Sequence, residues 1–182
     1  MRSLTALTGL ACWVLLGSHG PSRAAVATLC KADEVVVFSC PTGKHIASVC
    51  ASKAEAASGG YIQYRFGDTS KVDLSFPPDG TTPADVFTGG SVAYSGGGGA
   101  WLRFSNGAFR YNIFSAVGRW GRKGAPADAA GVFVERDGKN ISNLVCRGRA
   151  SGEMGLDFFK SRGILASDSL YDFDIPSAFV AD

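Results

Sequence analysis

Short runs of apolar residues, many of them alternating with polar ones, recur along most of this chain. The runs are rich in Val, Ile, Phe and Tyr, and Gly, Pro, Asn or Asp stands at their ends. This pattern is typical of β-strands bounded by turns. It predicts eight strands: Glu34–Cys40, Ile46–Cys50, Tyr61–Phe66, Val72–Phe76, Ala100–Ser105, Ala108–Val117, Val132–Arg136 and Ile141–Cys146. The predicted fold class is all-β, either an antiparallel β-barrel or a β-sandwich.

The N-terminus has a different pattern. A basic start at Arg2 precedes an apolar run over Leu4–Gly17, and small and polar residues then lead up to Ala27. This order predicts a signal peptide over residues 1–27, cleaved after Ala27, and therefore a secreted or periplasmic protein. The apolar run is too short for a membrane span, so no transmembrane segment is predicted in the mature chain. The alternatives are a lipoprotein acylated at Cys12 and an uncleaved anchor helix.

Residues 28–182 suffice for a single β domain of about 155 residues with its own hydrophobic core. Residues 151–182 are predicted to form a peripheral tail. In this tail, Gly152–Ser161 is a short helical stretch, and the acidic segment after Asp168 is expected to lie extended over the surface.

Four cysteines remain after removal of the signal peptide. An even number in an exported chain predicts two disulfides rather than free thiols or metal ligands. Three pairings exist, and strand geometry favours Cys40 with Cys146 and Cys30 with Cys50. The first would join the opening strand to the last core strand, and by the chain-entropy model it would be worth about 4 to 5 kcal/mol.

Charge is unevenly distributed along the chain. Loss of residues 1–27 removes Arg2 and Arg23, which leaves 16 basic residues beside 16 acidic ones. A neutral mature chain argues against a nucleic-acid partner. No acidic residue occurs between Asp85 and Asp128, however, and an unbalanced basic segment of this kind indicates either an anionic partner or compensation by the acidic tail. The cations of this segment are Arg103, Arg110, Arg119, Arg122 and Lys123.

The dipeptides Asn106-Gly107 and Asp137-Gly138 are typical two-residue loops of β-hairpins. With Asn106-Gly107 as the loop, Arg103 faces Arg110 and Trp101 faces Asn112. Because side chains alternate between faces, one face is a core face and the other is open to solvent or ligand. The core face holds Leu102, Phe104, Phe109, Tyr111 and Ile113. The open face holds Trp101, Arg103, Ser105, Arg110 and Asn112.

Directly opposed arginines destabilise a strand pair, so this pairing needs an explanation. The two guanidinium groups either splay apart, stack on Trp101 or pair with the acidic tail, or they form a site for an anion or carboxylate. Both interpretations stay open at this stage.

Two further segments are candidates for recognition. Ser95 precedes the glycine run Gly96–Gly99, which is interpreted as a plain turn or as a recognition loop. Trp120 is flanked by cations and glycines in Arg119–Gly124. Such a composition is common at binding hot spots, although burial of this Trp is equally compatible with it. The candidate binding residues are Ser95, Trp101, Arg103, Arg110, Asn112, Trp120, Arg122 and Lys123.

Few residues suit catalysis. His45 is the one histidine of the mature chain, and no Gly-x-Ser-x-Gly elbow or Cys-x-x-Cys pair occurs. The glycine run lacks the Lys-Ser or Lys-Thr of a phosphate loop and precedes a strand. No catalytic residue, metal or cofactor is predicted. A carboxylate pair acting on a glycan stays an alternative, although spacing marks no particular pair as catalytic.

Two resemblances follow from these motifs. The segments Phe38-Ser39-Cys40-Pro41, Ser48-Val49-Cys50 and Tyr94-Ser95-Gly96 through Leu102-Arg103-Phe104 resemble a group of exported bacterial proteins of unknown function. The chain is also similar to the C-type lysozyme inhibitors of the bacterial envelope, small β-barrels with a Ser-Gly and a Lys-Gly motif that enter the lysozyme cleft. Ser95-Gly96 and Lys123-Gly124 correspond to those motifs. This chain differs in its extra cysteines, glycine run and acidic tail.

The expected function is that of an exported, non-enzymatic binding domain with a protein or an anionic glycan as its partner. Inhibition of a lysozyme-like hydrolase is its most specific form. The alternatives are an envelope or secreted hydrolase that acts on glycan or cell wall through a carboxylate pair, and a structural envelope protein.

Overall fold

The computed structural model describes residues 27–54, 60–166 and 173–180. The predicted signal peptide therefore lies almost entirely outside the described residues. The described part contains nine strands, two short α-helices and two turns of 3₁₀-helix. The strands are β1 (Val35–Pro41), β2 (Ile46–Ala51), β3 (Ile62–Gly67), β4 (Val72–Phe76), β5 (Thr88–Tyr94), β6 (Gly97–Asn106), β7 (Phe109–Gly121), β8 (Ala125–Arg136) and β9 (Lys139–Val145).

The helices are short and lie between or after the strands. Helix α1 spans Pro83–Val86 and α2 spans Leu156–Ser161, and the 3₁₀ turns cover Arg122–Gly124 and Ser177–Phe179. Helix α2 falls within the helical stretch predicted for the tail. None of the helices in the described part of the chain combines the length and apolar character needed to cross a bilayer.

The strands form two antiparallel sheets that pack face to face. The first sheet has the order β1-β2-β3-β4 and the second has the order β5-β6-β7-β8-β9. Alternating apolar residues of both sheets interleave between them, so the prediction of an antiparallel all-β fold is confirmed and the fold is a sandwich, not a closed barrel. The core between the sheets includes Phe38, Val49 and Tyr64 from the first sheet and Leu102, Phe104, Ile113 and Val132 from the second.

Both disulfides pair as predicted. The bond between Cys40 and Cys146 joins β1 of the first sheet to the residue after β9 of the second sheet. The bond between Cys30 and Cys50 attaches the segment before β1 to the outer face of β2. The two bonds therefore have different tasks, since one links the two sheets and the other fixes the N-terminal segment.

The residues before β1 cover the outer face of the first sheet. We call residues 28–34 the N-terminal strap. The Leu29 N–H donates to Ser48 Oγ over 3.0 Å, and the hydroxyls of Ser48 and Ser39 are hydrogen-bonded to each other over 2.8 Å. Ser39 and Ser48 are fully buried beneath the strap. Polar side chains on the outer face of these strands are thus hydrogen-bonded by the strap and by each other rather than by solvent.

A buried ion pair holds the end of the strap. Arg65 Nη1 and Nη2 donate to the two carboxylate oxygens of Glu34, each over 2.7 Å. Arg65 also donates through Nη1 to the Leu29 carbonyl and through Nε to Gln63 Oε1. The hydroxyl of Tyr61 donates to Glu34 as well. Both oxygens of this buried carboxylate therefore accept hydrogen bonds, as a buried charge requires.

This network predicts an unusual titration of Glu34. Burial alone would raise the pKa of Glu34, but hydrogen bonds from Arg65, Tyr61 and the Lys31 N–H together lower it to about 2. A carboxyl whose pKa is lower in the folded state contributes stability above its unfolded pKa and loses it as the pH falls toward the folded one. We expect ¹³C NMR to place the titration midpoint of the Glu34 carboxyl near 2, and the free energy of unfolding to fall between about pH 5 and pH 2. A midpoint at the ordinary value of a glutamate would contradict the network.

The end of the described chain packs on the outer face of the second sheet. Phe173 and Phe179 lie over β6, β7 and β8 and are 2% and 8% exposed. Together with apolar side chains of the sheet they form a second hydrophobic cluster, the outer core. Its buried members are Val92, Trp101, Phe114, Ala116, Ala129, Phe133, Phe173 and Phe179.

Candidate functional site

The β6–β7 hairpin turns one residue later than the sequence predicts. Asn106 pairs with Phe109, so the loop is Gly107-Ala108 rather than Asn106-Gly107. Gly107 has a φ of +59°, which fits the type II′ loop that places Gly first. The predicted pairings of Arg103 with Arg110 and of Trp101 with Asn112 are therefore wrong, since Arg103 faces Asn112 and Trp101 faces Phe114. The predicted Asp137-Gly138 loop is confirmed, with Arg136 paired to Lys139.

The outer face of this hairpin is largely covered. Its membership agrees with the prediction, but Trp101 is only 4% exposed and Asn112 is completely buried. The ring of Phe173 stacks on Trp101 with centroids 5.5 Å apart and planes 5° apart. The expectation of an open ligand face is therefore wrong at both positions, because the C-terminal segment covers Trp101 and the side chains of Arg103 and Glu135 are bonded to Asn112.

The two arginines of this face are held by neighbouring side chains. Arg103 Nε donates to Asn112 Oδ1 over 2.7 Å, and its guanidinium lies 5.0 Å from the centroid of Trp101. Asn112 Nδ2 donates to Glu135 Oε2 over 2.9 Å, and Arg110 Nη1 lies 3.9 Å from the same oxygen. The stacking of Arg103 on Trp101 agrees with one of the structural interpretations. Glu135, which the sequence does not single out, contacts Arg110 directly and is connected to Arg103 through Asn112.

Removal of the covering phenylalanine tests this arrangement. We expect Phe173→Ala to lower the free energy of unfolding by about 3 kcal/mol, because a buried ring would be replaced by a cavity over Trp101. Urea denaturation measures the change. The matched control is Ser177→Ala, an exposed position of the same segment, where the change should stay within about 0.5 kcal/mol. Equal effects of the two substitutions would show that the segment does not pack as described.

The segment is also held by a hydrogen bond. The hydroxyl of Tyr94 donates to the Phe173 carbonyl over 2.8 Å. Burial and the nearby Asp174 raise the pKa of Tyr94 to about 12, so the phenol keeps its proton at physiological pH. Phe173 is thus fixed by its ring and by its backbone.

A small groove lies beside the arginines. It has a volume of about 260 Å³ and runs between the β6–β7 and β8–β9 turns. Both carboxylates at its wall already have partners: Glu135 contacts Asn112 and Arg110, and Asp137 lies 3.8 Å from Arg136. Its lining includes Ser105, Phe109, Arg110, Glu135 and Asp137.

The remaining predicted residues gather at the opposite end of the second sheet. The β5–β6 turn carries Ser95, and the β7–β8 turn carries Arg122 and Lys123. The Arg119 N–H donates to the Ser95 carbonyl over 3.0 Å, which joins the first turn to the end of β7. We call Ser95, Trp120, Arg122 and Lys123 the loop surface. The structure therefore separates the eight predicted binding residues into two groups of four.

The loop surface combines exposed cations with an aromatic pair. Arg122, Lys123 and Ser95 are exposed, and Trp120 is half-buried, edge-on against Tyr94 with ring centroids 5.2 Å apart. Lys123 has a φ of +59°, a left-handed conformation that is uncommon outside glycine and projects this side chain from the tip of the turn. Within the described part of the chain, neither Arg122 nor Lys123 lies within ion-pair distance of a carboxylate.

The glycine run is structured differently from the predicted connection. Gly97–Gly99 belong to β6, and only Ser95 and Gly96 form the turn. A side chain at these positions would collide with a neighbouring strand: a Cβ on Gly97 would lie 2.2 Å from the Val117 carbonyl oxygen of β7, and one on Gly98 would lie 2.8 Å from the Val92 carbonyl oxygen of β5. The glycines therefore permit close strand contact.

The described residues offer little for catalysis or metal binding. His45 Nε2 lies 4.0 Å from Asp73 Oδ2, and the His45 ring stacks on Phe66. The one group with the spacing of metal ligands among the described residues is Cys30, Glu34 and Cys50. Its sulfurs are joined in a disulfide and its carboxylate is bound to Arg65. This group is accordingly part of the strap.

Comparisons of the chain with models of protein families, with curated proteins and with solved structures yield no match. The class of protein is therefore defined by its geometry. It is a disulfide-linked antiparallel β-sandwich with a second apolar layer under its C-terminal segment and a cationic loop surface at one end.

Proposed function

We propose that this protein is an exported, non-enzymatic binding domain that recognises an anionic site of a partner protein through the loop surface. The observation that carries the proposal is the meeting of two loops at one end of the second sheet, where exposed Arg122 and Lys123 lie near Trp120. Exposed cations without a neighbouring carboxylate gain most from an anionic partner. The two disulfides support an oxidising compartment, secreted or periplasmic.

The most specific form of this function is inhibition of a lysozyme-like hydrolase. The cleft of such an enzyme presents two carboxylates. Ser95 and Lys123, the positions that correspond to the motifs of the C-type lysozyme inhibitors, lie in neighbouring turns at the same end of the sheet. In this proposal, Lys123 pairs with a cleft carboxylate and the Ser95 hydroxyl donates a hydrogen bond to the other.

Substitution of the loop cations tests the proposal. We expect the intact protein to inhibit a C-type lysozyme in a cell-wall lysis assay, and Arg122→Ala with Lys123→Ala to weaken inhibition at least about tenfold, since charges that pair across a desolvated contact are costly to lose. The matched control is Lys139→Ala with Lys160→Ala. It removes the same charge from exposed positions outside the loop surface and should change inhibition less than about twofold.

Two results would contradict the proposal that this protein inhibits lysozyme. No inhibition by the intact protein at micromolar concentration would overturn it, and so would an equal loss in the two double variants. An equal loss would mean that inhibition depends on the net charge of this protein and not on the loop surface.

One observation favours a second candidate function, hydrolysis of a glycan. Glu135 and Asp137 both line the groove of about 260 Å³ near the hairpin turns. Glycoside hydrolysis uses a pair of carboxylates. Turnover on a panel of cell-wall and glycan substrates that is lost in Glu135→Gln would support this candidate, and absence of turnover by the intact protein would reject it.

A further inference from the structure

The second sheet extends beyond the first at the end that carries the loop surface. Strands β6, β7 and β8 have 10, 13 and 12 residues, whereas β1 to β4 have between 5 and 7. The side chains that face the first sheet reflect this difference. Ile113 is fully buried, whereas Val117, four residues later on the same face of β7, is 37% exposed. The inner face of the second sheet is therefore partly open to solvent at this end.

The side chains of this open strip are mostly small. Ser91 and Ala93 of β5, Gly98 of β6, and Ser115 and Val117 of β7 lie on it, and each is half-buried or exposed. Because packed sheets lie about 10 Å apart, the end of the first sheet forms a step of roughly that height above the strip. A strip with a wall on one side admits an extended chain but not a planar surface.

Cations from distant parts of the sequence lie around this end of the two sheets. The Arg147 N–H donates to the Pro41 carbonyl over 2.7 Å, and the Arg147 side chain passes over Gly43, next to Lys44 in the β1–β2 turn. Arg149 Nη2 lies 3.3 Å from Asp128, which pairs with Val117 in the strand register. The aliphatic part of Arg119 packs on Gly96. We call Lys44, Arg119, Arg147 and Arg149 the basic ledge.

The basic ledge has a strong excess of positive charge. All four of its cations are exposed, and within the described part of the chain only Arg149 lies within ion-pair distance of a carboxylate. In a mature chain that is neutral overall, such a concentration at one end is a directed positive field rather than a general property of the surface.

We propose that the basic ledge binds a linear anionic polysaccharide, one whose repeating units carry sulfate or carboxylate groups. The exposed cations would pair with the acidic groups, and the hydroxyls of Ser91 and Ser115 are hydrogen-bonding groups for the sugar hydroxyls. Proteins that bind single-stranded nucleic acid stack bases on aromatic side chains. The residues named for the open strip include no aromatic side chain, so the strip favours a glycan over a single-stranded nucleic acid.

This inference goes beyond the proposed function and uses other residues. The loop surface would recognise a protein, and the basic ledge would hold the domain on an anionic polymer. The substitutions that test the ledge leave Ser95, Arg122 and Lys123 in place. Failure of one proposal therefore does not imply failure of the other.

Heparin, a sulfated linear polysaccharide, serves as the probe in isothermal titration calorimetry with the intact protein. We expect binding that weakens with salt, and a rise of the Kd by about tenfold or more in the variant Lys44→Ala, Arg147→Ala, Arg149→Ala, because three of the pairing charges are lost. The control Arg136→Ala, Lys139→Ala, Lys160→Ala removes the same charge elsewhere and should change the Kd less than about twofold. All six positions are exposed, and unchanged thermal unfolding verifies the fold of each variant.

Three outcomes overturn the inference. These are no binding of heparin by the intact protein, equal weakening in both triple variants, and binding of a single-stranded oligonucleotide as tight as that of heparin. The last result would mean that the ledge selects charge alone. Retained lysozyme inhibition in the ledge variant would confirm that the two surfaces act independently, whereas its loss would contradict the separation.

Discussion

Replacement of both Cys40 and Cys146 by alanine is expected to lower the free energy of unfolding by about 5 kcal/mol, the largest effect of any change considered for this fold. The two cysteines are 106 residues apart in the chain. A cross-link over so long a loop restricts the unfolded chain strongly, and loss of the bond releases that restriction. Urea denaturation under oxidising conditions measures the difference.

The second disulfide provides the comparison. Cys30 and Cys50 are only 20 residues apart, so Cys30→Ala with Cys50→Ala is expected to cost about 3 kcal/mol by the same chain-entropy argument. An equal or larger cost for the shorter loop would contradict this account of the sheet-linking bond. It would indicate that the strap contributes more to stability than the connection between the sheets.

The second large effect is expected at Arg65. The substitution Arg65→Met leaves the buried carboxylate of Glu34 without its bidentate partner, and breaking a buried pair from one side typically costs about 3 to 5 kcal/mol. The side chains of this pair are 8% and 1% exposed. The exposed pair of Arg149 and Asp128 is the control, and Arg149→Met should cost less than about 1 kcal/mol.

A double variant separates the ion pair from simple packing. Glu34→Gln with Arg65→Met removes both charges, so part of the stability lost in Arg65→Met should return. If the double variant loses as much stability as the single variants Glu34→Gln and Arg65→Met lose together, the charges do not act as a pair. If Arg65→Met is nearly neutral, the strap is not held as described.

Much of the fold could be predicted because it depends on local patterns. Alternation of apolar and polar residues predicts most of the strands, and an even number of cysteines together with strand geometry favours the pairing that the structure has. Strand β5 escaped prediction because Gly89 and Gly90 interrupt the expected composition. Gly89 has a close neighbour, since a Cβ at this position would lie 2.8 Å from the ring of Phe159.

The hairpin register shows what alternation leaves undetermined. The loops Asn106-Gly107 and Gly107-Ala108 both place a glycine where a tight turn can use it. Moving the turn by one residue shifts the pairing by two, so each side chain stays on the same face but meets a different partner. The assignment of residues to faces was therefore correct, whereas the partner of Arg103 was not, and Phe109 at the end of the hairpin is 37% exposed instead of buried in the core.

Burial of the predicted ligand face depends on contacts that are distant in sequence. Trp101 is covered by Phe173, and nothing in the acidic composition around Phe173 indicates where that ring packs. The pairing of Glu34 with Arg65 and the gathering of Arg147 near Lys44 depend on the strand order in the same way. The loop surface also depends on the strand order, because only every second turn of consecutive antiparallel strands lies at the same end of a sheet, and Ser95 joins the β7–β8 turn only when β5 is recognised as a strand.

We propose that the loop surface binds in the carboxylate cleft of a lysozyme-like hydrolase. Isothermal titration of a C-type lysozyme with the intact protein, with and without an oligosaccharide that fills the enzyme's cleft, is the decisive measurement. We expect the filled cleft to raise the apparent Kd at least about tenfold, since the two ligands would compete for one site. An unchanged Kd, or no binding to the free enzyme, would contradict it.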